Sequence, residues 1–221
     1  VALTVGASSY MNLGDNFVQE GLANRITPFT TTNNGKNGSA KNFDTEKTYR
    51  NVMTRYKFGG LQKKGLYVDE TVMRMCYTHR RLFAQLAQEL IKEGKYDKAK
   101  KVLDKCLEVL PAYNIPHNYV SGSLDLAECY AILGQQQKAE QLFNAVWKNS
   151  EQYVDFYLAL SGNNFDISMS DCLREFTIMQ ECSKIAPLIS QTLAKKTKKI
   201  FQNKFVNYRE KGGYVPIQKG K

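Results

Sequence analysis

No stretch of this sequence approaches the roughly 18–20 consecutive apolar residues that a membrane helix needs, so no segment reads as a membrane span. The first residues show no basic stretch leading into an apolar run, and no secretory leader reads there. Histidine is scarce, with only His79 and His117 present. There is no Gly-x-Ser-x-Gly elbow and no phosphate-binding loop. The segment "GKNGSAK" (35–41) holds Gly, Lys and Ser in the wrong order and spacing for one. Cys76 and His79 sit three apart on one expected helix, but a structural metal site needs about four ligands and no second pair stands out. The pair reads as a surface histidine beside a buried cysteine. His117 follows Pro116 and is expected to be exposed, and Asp166 and Asp171 read as helix caps. No catalytic residue, cofactor site or metal site can be assigned, and an enzyme is not the expected class.

What is there begins with charge. The net charge is +10, and it is concentrated. From Lys195 onward nine basic residues face one acidic residue, Glu210, so the tail carries +8 and the rest only +2. This makes a whole-protein nucleic-acid reading weak and leaves a basic tail able to touch something acidic. Apolar residues make up 43% of the chain, enough to bury a core. The five cysteines, Cys76, Cys106, Cys129, Cys172 and Cys182, are odd in number, and each lies in a helical pattern beside apolar residues. They read as small buried hydrophobes and not as a disulfide framework.

Along the chain, "VALTV" at the start is strand-like, "NLGDNFVQEGL" (12–22) looks like a short helix, and "NRITPF" (24–29) is a second strand candidate. A polar, Gly- and Asn-rich segment (30–42) cannot bury enough apolar surface to order itself and reads as a loop. Asp44 can cap a helix over 45–57, ended by "FGG" (58–60), and "GLYVDE" (65–70) is extended. Asp69 can cap a long helix over 70–93. Further helices are expected near 96–109, 119–133, 136–159, 168–184 and 187–209, before a frayed end.

The segment "LIKEGKYDKAKKVLDKCLEVLP" (90–111) carries a repeat pattern. A tetratricopeptide repeat is a helix pair of about 34 residues with a large residue, leucine, a small residue and tyrosine in its first helix; alanine, phenylalanine and a final proline follow in the second. With Pro111 as that proline, Phe83, Leu86, Ala87 and Leu90 take the first-helix positions, Gly94 the turn, and Ala99 and Leu103 the second helix, without a gap. Ala87 and Ala99 fall where the helices approach closely and only small side chains fit. A second copy places Leu126, Ala127 and Tyr130, then Gly134, then Ala139 and Phe143, with Ser123 at the large position and no terminal proline. Gly134 follows Gly94 by 40 residues, and "NIPHNY" (114–119) is the insertion. The expected fold is mainly α: tetratricopeptide-like helical hairpin repeats with flanking helices, plus a small mixed α/β segment at the N-terminus. Residues 1–43 would be a mixed segment and flexible loop left from a preceding domain. Residues 44–160 would form the helical domain, with repeats over 80–113 and 120–153, and 161–221 the C-terminal helices and basic tail.

In this repeat family the first helices line a concave groove. By position its residues would be Arg81, Gln85, Gln88 and Lys92 in the first copy and Asp125 and Glu128 in the second. Long polar side chains there suit an extended peptide, unless the chain's own C-terminal helices fill the groove. The segment 185–205 interleaves Leu188, Ile189, Leu193, Ile200, Phe201 and Phe205 with Lys195, Lys196, Lys198, Lys199 and Lys204. It reads as an amphipathic helix whose basic face could be solvated or could meet anionic lipid head groups.

The pieces "QEGLANRITP" (19–28), "NVMTRYKFGGL" (51–61) and "YVDETVMRM" (67–75), in this order ahead of the repeat, resemble the C-terminal part of a bacterial protein O-mannosyltransferase-like membrane family. The resemblance covers about 1–160 and fades in the last helices. It implies that the membrane spans and catalytic carboxylates lie N-terminal to Val1, so none maps onto this chain. It also implies a place on the periplasmic side of the cytoplasmic membrane. The strand-like, Met-less start fits a chain entered in mid-element, whereas five unpaired cysteines argue mildly against an oxidising compartment. The expected role is a non-catalytic domain that positions a protein acceptor or partner near the membrane. The alternative is a freestanding soluble, cytoplasmic adaptor that binds peptides.

Overall fold

A computed structural model describes residues 2–4, 16–32 and 40–214. The backbone separates into two compact units, Val1–Pro116 and His117–Lys221.

The first unit opens with a three-stranded antiparallel sheet in the order β1-β3-β2, from β1 (Ala2–Thr4), β2 (Phe17–Gln19) and β3 (Ala23–Ile26). The short helix expected over 12–22 is not formed at its described end: residues 17–19 are a strand, and 12–15 lie outside the described residues. The reason is tertiary. Phe17 and Val18 are both buried, and β3 supplies the ladder partners from Phe17↔Ile26 to Gln19↔Asn24. Gly21, at φ 97°, turns the chain between β2 and β3, and a Cβ there would sit 2.2 Å from the Tyr56 hydroxyl. That hydroxyl accepts from the Leu22 N–H at 2.9 Å. The ends of the expected loop pair in parallel as β4 (Thr31–Thr32) and β5 (Ala40–Lys41); residues 33–39 lie outside the described residues.

Asp44 caps α1 (Thr45–Arg50), accepting from the Lys47 N–H at 2.9 Å. The helix expected over 45–57 changes winding halfway, because Asn51–Arg55 forms a wider π-turn. Val52 is fully buried there, and Asn51 donates to the Glu20 carbonyl at 3.1 Å, fixing the turn against the sheet. Asp69 caps α2 (Glu70–Lys92), accepting from the Val72 N–H at 2.9 Å. After α2 the chain reverses at Gly94, φ 72°, where Gly94 and Lys95 donate to Ile91 and Leu90 (3.0 and 2.8 Å). This is the paired 5→2 and 6→1 closure that a left-handed residue allows. The chain returns as α3 (Tyr96–Val109), and Phe83, Leu86, Ala87, Leu90, Ala99 and Leu103 are all buried between the two helices.

Arg80 is fully buried on α2, and its guanidinium donates to the carbonyls of Leu110 (3.1 Å), Ile115 (2.7 Å) and Pro116 (2.9 Å). It thereby satisfies the end of α3, where a cation also meets the helix dipole favourably. The insertion after Pro111 is consequently well held: Ile115 is fully buried, and the Asn114 amide donates to the Leu61 and Lys63 carbonyls, each at 2.7 Å.

In the second unit α4 (Ser123–Ile132) and α5 (Gln136–Ala159) form the second hairpin, turned by Gly134 at φ 73° with the same pair of closing bonds. Leu126, Ala127, Tyr130, Ala139 and Phe143 are fully buried, as the repeat pattern requires. A third antiparallel pair, α6 (Asn163–Ile189) and α7 (Gln191–Glu210), packs on this hairpin, α6 against both α4 and α5. Its interface is aromatic: Phe176 meets Phe201 and Phe205 edge-on at 5.7 and 5.3 Å, with Tyr208 at 5.4 Å. The expected single amphipathic segment 185–205 is therefore two helices. Leu188 and Ile189 end α6, and Ser190, in extended conformation, separates it from α7. Residues 211–214 are tied down: Gly213 lies against the Tyr208 ring, and the Tyr208 hydroxyl donates to the Tyr214 carbonyl at 2.9 Å.

Arg80→Met keeps much of the volume but leaves three carbonyls without their donor. The expected loss is about 3 kcal/mol, at the upper end for unsatisfied buried acceptors. Urea unfolding followed by circular dichroism measures it; a loss below about 1 kcal/mol would remove Arg80 from the central role given to it here.

Candidate functional site

Arg81, Gln85, Gln88 and Lys92 recur at the spacing of one face of α2. Arg81 and Lys92 are exposed, and Gln85 and Gln88 are half-buried. Gln85 trades amide hydrogen bonds with Gln19 (3.3 and 3.4 Å), so the end of β2 lies over the middle of the strip. Arg81 donates to the Thr78 hydroxyl at 3.2 Å, and Lys92 pairs with Glu89 at 2.7 Å. Asp125 and Glu128 sit one turn apart on α4, in the other unit. Asp125 is exposed, yet the protein around it strips enough hydration to push its carboxyl pKa up. Glu128 is pushed up by desolvation first and by the charge of Asp125 second.

Lys195, Lys196, Lys198 and Lys199 are exposed on α7. Lys204 is turned back to Asp155 and also lies 3.6 Å from Glu151. The apolar residues Phe201 and Phe205 stack together against Phe176 of α6, so this face of α7 is already covered.

The five cysteines are buried thiols, none of them in a disulfide among the described residues. Burial pushes the thiols of Cys106, Cys129 and Cys182 up to about 12, which makes them poor nucleophiles. No group of three or more metal-ligating side chains gathers among the described residues. His79 lies edge-on to Tyr56 and Phe58, with ring centroids at 6.0 and 5.6 Å, and its buried Nδ1 has no hydrogen-bond partner. His117 is half-buried rather than exposed, because its Nδ1 meets the buried Ser123 hydroxyl at 2.8 Å; Ser123 in turn meets Ser121 at 2.8 Å. That polar cluster fills the place where the repeat carries a large side chain. Asp166 and Asp171 do not cap. α6 begins behind Gly162, Asp166 lies in its first turn, and Asp171 pairs with Arg174 at 3.2 Å.

The second unit also holds a cleft of about 680 Å³ between the entry to α4, the second half of α5 and the middle of α6. Tyr119, Val120, Tyr153 and Ile178 wall it, and Arg174 and Glu175 supply charge. Its residues are spread over three segments, so no linear pattern announces it. The only sequence signal is the unusual length of α5, whose last ten residues extend beyond the span of the shorter α3.

A tetratricopeptide repeat family model matches residues 81–113, which cover the second half of α2, the Gly94 turn, α3 and Pro111. The match coincides with the gapless copy of the pattern. No curated protein and no solved structure matches the chain. Repeats of this class commonly form protein–protein contacts.

Desolvation lowers the His79 pKa below its ordinary 6.5. The unfolded chain therefore takes up the proton first. The stability held in the neutral ring is complete above pH 6.5 and is lost as pH falls through that value toward the folded pKa. His79→Phe keeps an aromatic ring against Tyr56 and Phe58. Its urea midpoint is expected to stay flat from neutral pH down to about 5.5, above the carboxylate range, where the parent declines; parallel curves would exclude His79 as the cause.

Proposed function

We propose that this chain is a non-catalytic interaction domain that holds a protein acceptor or a partner subunit. In this reading it belongs to a membrane glycosyltransferase-like protein and works on the periplasmic side of the membrane. The observation that carries the interaction role is the match of a tetratricopeptide repeat to α2–α3, with Phe83, Leu86, Ala87, Leu90, Ala99 and Leu103 buried and Arg81, Gln88 and Lys92 left on the outer strip of α2. The membrane context is supported by the resemblance of 19–28, 51–61 and 67–75 to the O-mannosyltransferase-like family. A second reading, a freestanding adaptor in a reducing compartment, is favoured by the five cysteines, none of them in a disulfide among the described residues. An anionic membrane surface as partner draws support only from the four exposed lysines of α7. With Phe201 and Phe205 packed on α6, insertion of that helix is not part of the reading.

Two measurements test it. The coding sequence upstream of Val1, scanned with a window of about 19 residues, is expected to contain several spans. A start codon close by with no spans would favour the adaptor. Charge reversal at Arg81 and Lys92 together is expected to lower capture of partner proteins by about tenfold without changing the melting temperature, since both side chains are exposed. Mass spectrometry of proteins captured by parent and variant checks this; an identical set removes the strip from the binding site.

A further inference from the structure

Glu175 is the one acidic group that lines the cleft of the second unit. Its side chain is only 9% exposed, yet its carboxylate makes no hydrogen bond among the described residues. The nearest cation, Arg174, offers its Nε at 3.7 Å, beyond hydrogen-bond distance. Arg174 is itself 64% exposed and leans toward Asp171 at 3.2 Å. A carboxylate can accept several hydrogen bonds, and the Glu175 oxygens are not sealed from the cleft. Here it faces a cleft, so a ligand can supply the missing donor.

The surroundings select the donor. Tyr119 and Tyr153 line the same cleft, and aromatic faces attract cations, guanidinium most of all because it also stacks flat. Acidic groups lie near: the Tyr119 hydroxyl is held above its ordinary pKa by burial first and then by Glu181 and Asp125, against Lys184, and Tyr157, beside the cleft, by burial first and then by Asp171, against Arg174. The volume of about 680 Å³ takes a long side chain with its adjoining backbone. Asn149 lines the rim with a half-buried amide that has no partner among the described residues, and an amide can pair with an extended backbone through its donor and its acceptor.

We infer that this cleft binds an extended polypeptide segment through an arginine side chain, whose guanidinium enters beside Tyr119 and Tyr153 and donates to Glu175. The inference rests on the reading of the chain as an interaction domain and adds to it a second surface and a partner chemistry. Arg174 is the internal competitor. Already paired with Asp171, it holds the approach to Glu175 only at 3.7 Å, so a closer donor can displace it there.

The test is a nuclear magnetic resonance titration of the ¹⁵N-labelled chain with acetyl-Gly-Arg-Gly-amide. Its citrulline counterpart, equal in shape but uncharged, is run in parallel. The arginine peptide is expected to shift Tyr119, Asn149 and Tyr153 saturably, and the citrulline peptide to bind about tenfold more weakly. Glu175→Gln and Tyr153→Ala are each expected to weaken the arginine peptide by a similar factor. Tyr153 is about half exposed, so its variant reads binding even if Glu175→Gln disturbs folding. Equal binding of the two peptides, unchanged binding by Tyr153→Ala, or no shift at millimolar peptide would each overturn the proposal. Shifts confined to the α2 strip from Arg81 to Lys92 would also overturn it, while leaving the interaction-domain reading in place.

Discussion

A buried guanidinium with carbonyls for company organises the first unit. Arg80 carries a full charge where desolvation alone would be prohibitive. It is tolerated because Leu110, Ile115 and Pro116 turn their carbonyls toward it. The requirement works in both directions. The charge needs those acceptors, and the end of α3 needs a donor, since its last carbonyls have no intrahelical partner. Once the loop after Pro111 is bent to meet Arg80, Asn114 is placed to hold the carbonyls of Leu61 and Lys63, and Tyr113 reaches Gln62 at 2.5 Å. The irregular segment before α2 is thus fixed at second hand by one arginine.

The two pattern-bearing hairpins use the same local solution. Gly94 and Gly134 adopt left-handed angles that differ by one degree, and each closes its helix with the same two backbone bonds. Ala87 with Ala99, and Ala127 with Ala139, keep the helix pairs close, and the larger residues fill the space around them. The third pair reaches a similar antiparallel arrangement by another route. It has no glycine at its turn and no alanine pattern. It buries one aromatic cluster, in which Phe176 contacts Phe201, Phe205 and Tyr208. That burial supplies part of the neighbour that a repeat hairpin requires, since a single hairpin cannot cover its own apolar face.

This use of α7 bears on function. With its aromatic face packed, α7 presents a mainly polar outer face that includes four exposed lysines. On the first unit, the middle of the α2 strip is tied to β2 through Gln85 and Gln19, which leaves the two ends, Arg81 and Lys92, as its accessible cationic points. The second unit carries both signs: Asp125 and Glu128 on α4 are acidic, the exposed lysines of α7 are basic, and Glu175 shares the cleft with Arg174 and the tyrosines. The proposed partner surfaces are thus built on helices rather than on loops.

The hairpins were legible in the sequence because their determinants are local. Glycine at a helix end, alanine at a close approach and aspartate at a cap each act within a few residues, and Asp44, Asp69, Gly94 and Gly134 all sit where those rules put them. The α5 limits, 136–159, follow from periodicity for the same reason. Residues 17–19 were not legible as a strand, because β3 and the core, not local propensity, decide their state. Neither were the break at Ser190 and the partial burial of His117, which depend on what packs around them. The cleft lay furthest beyond reach. Tyr119, Asn149 and Glu175 share no spacing along the chain, and only the packing of α6 on α4 and α5 brings a buried carboxylate and two tyrosines to one opening. Sequence alone determined the helical repeat; tertiary structure decided which polar groups are satisfied internally and which face the cleft, because only packing brings segments distant in the chain together.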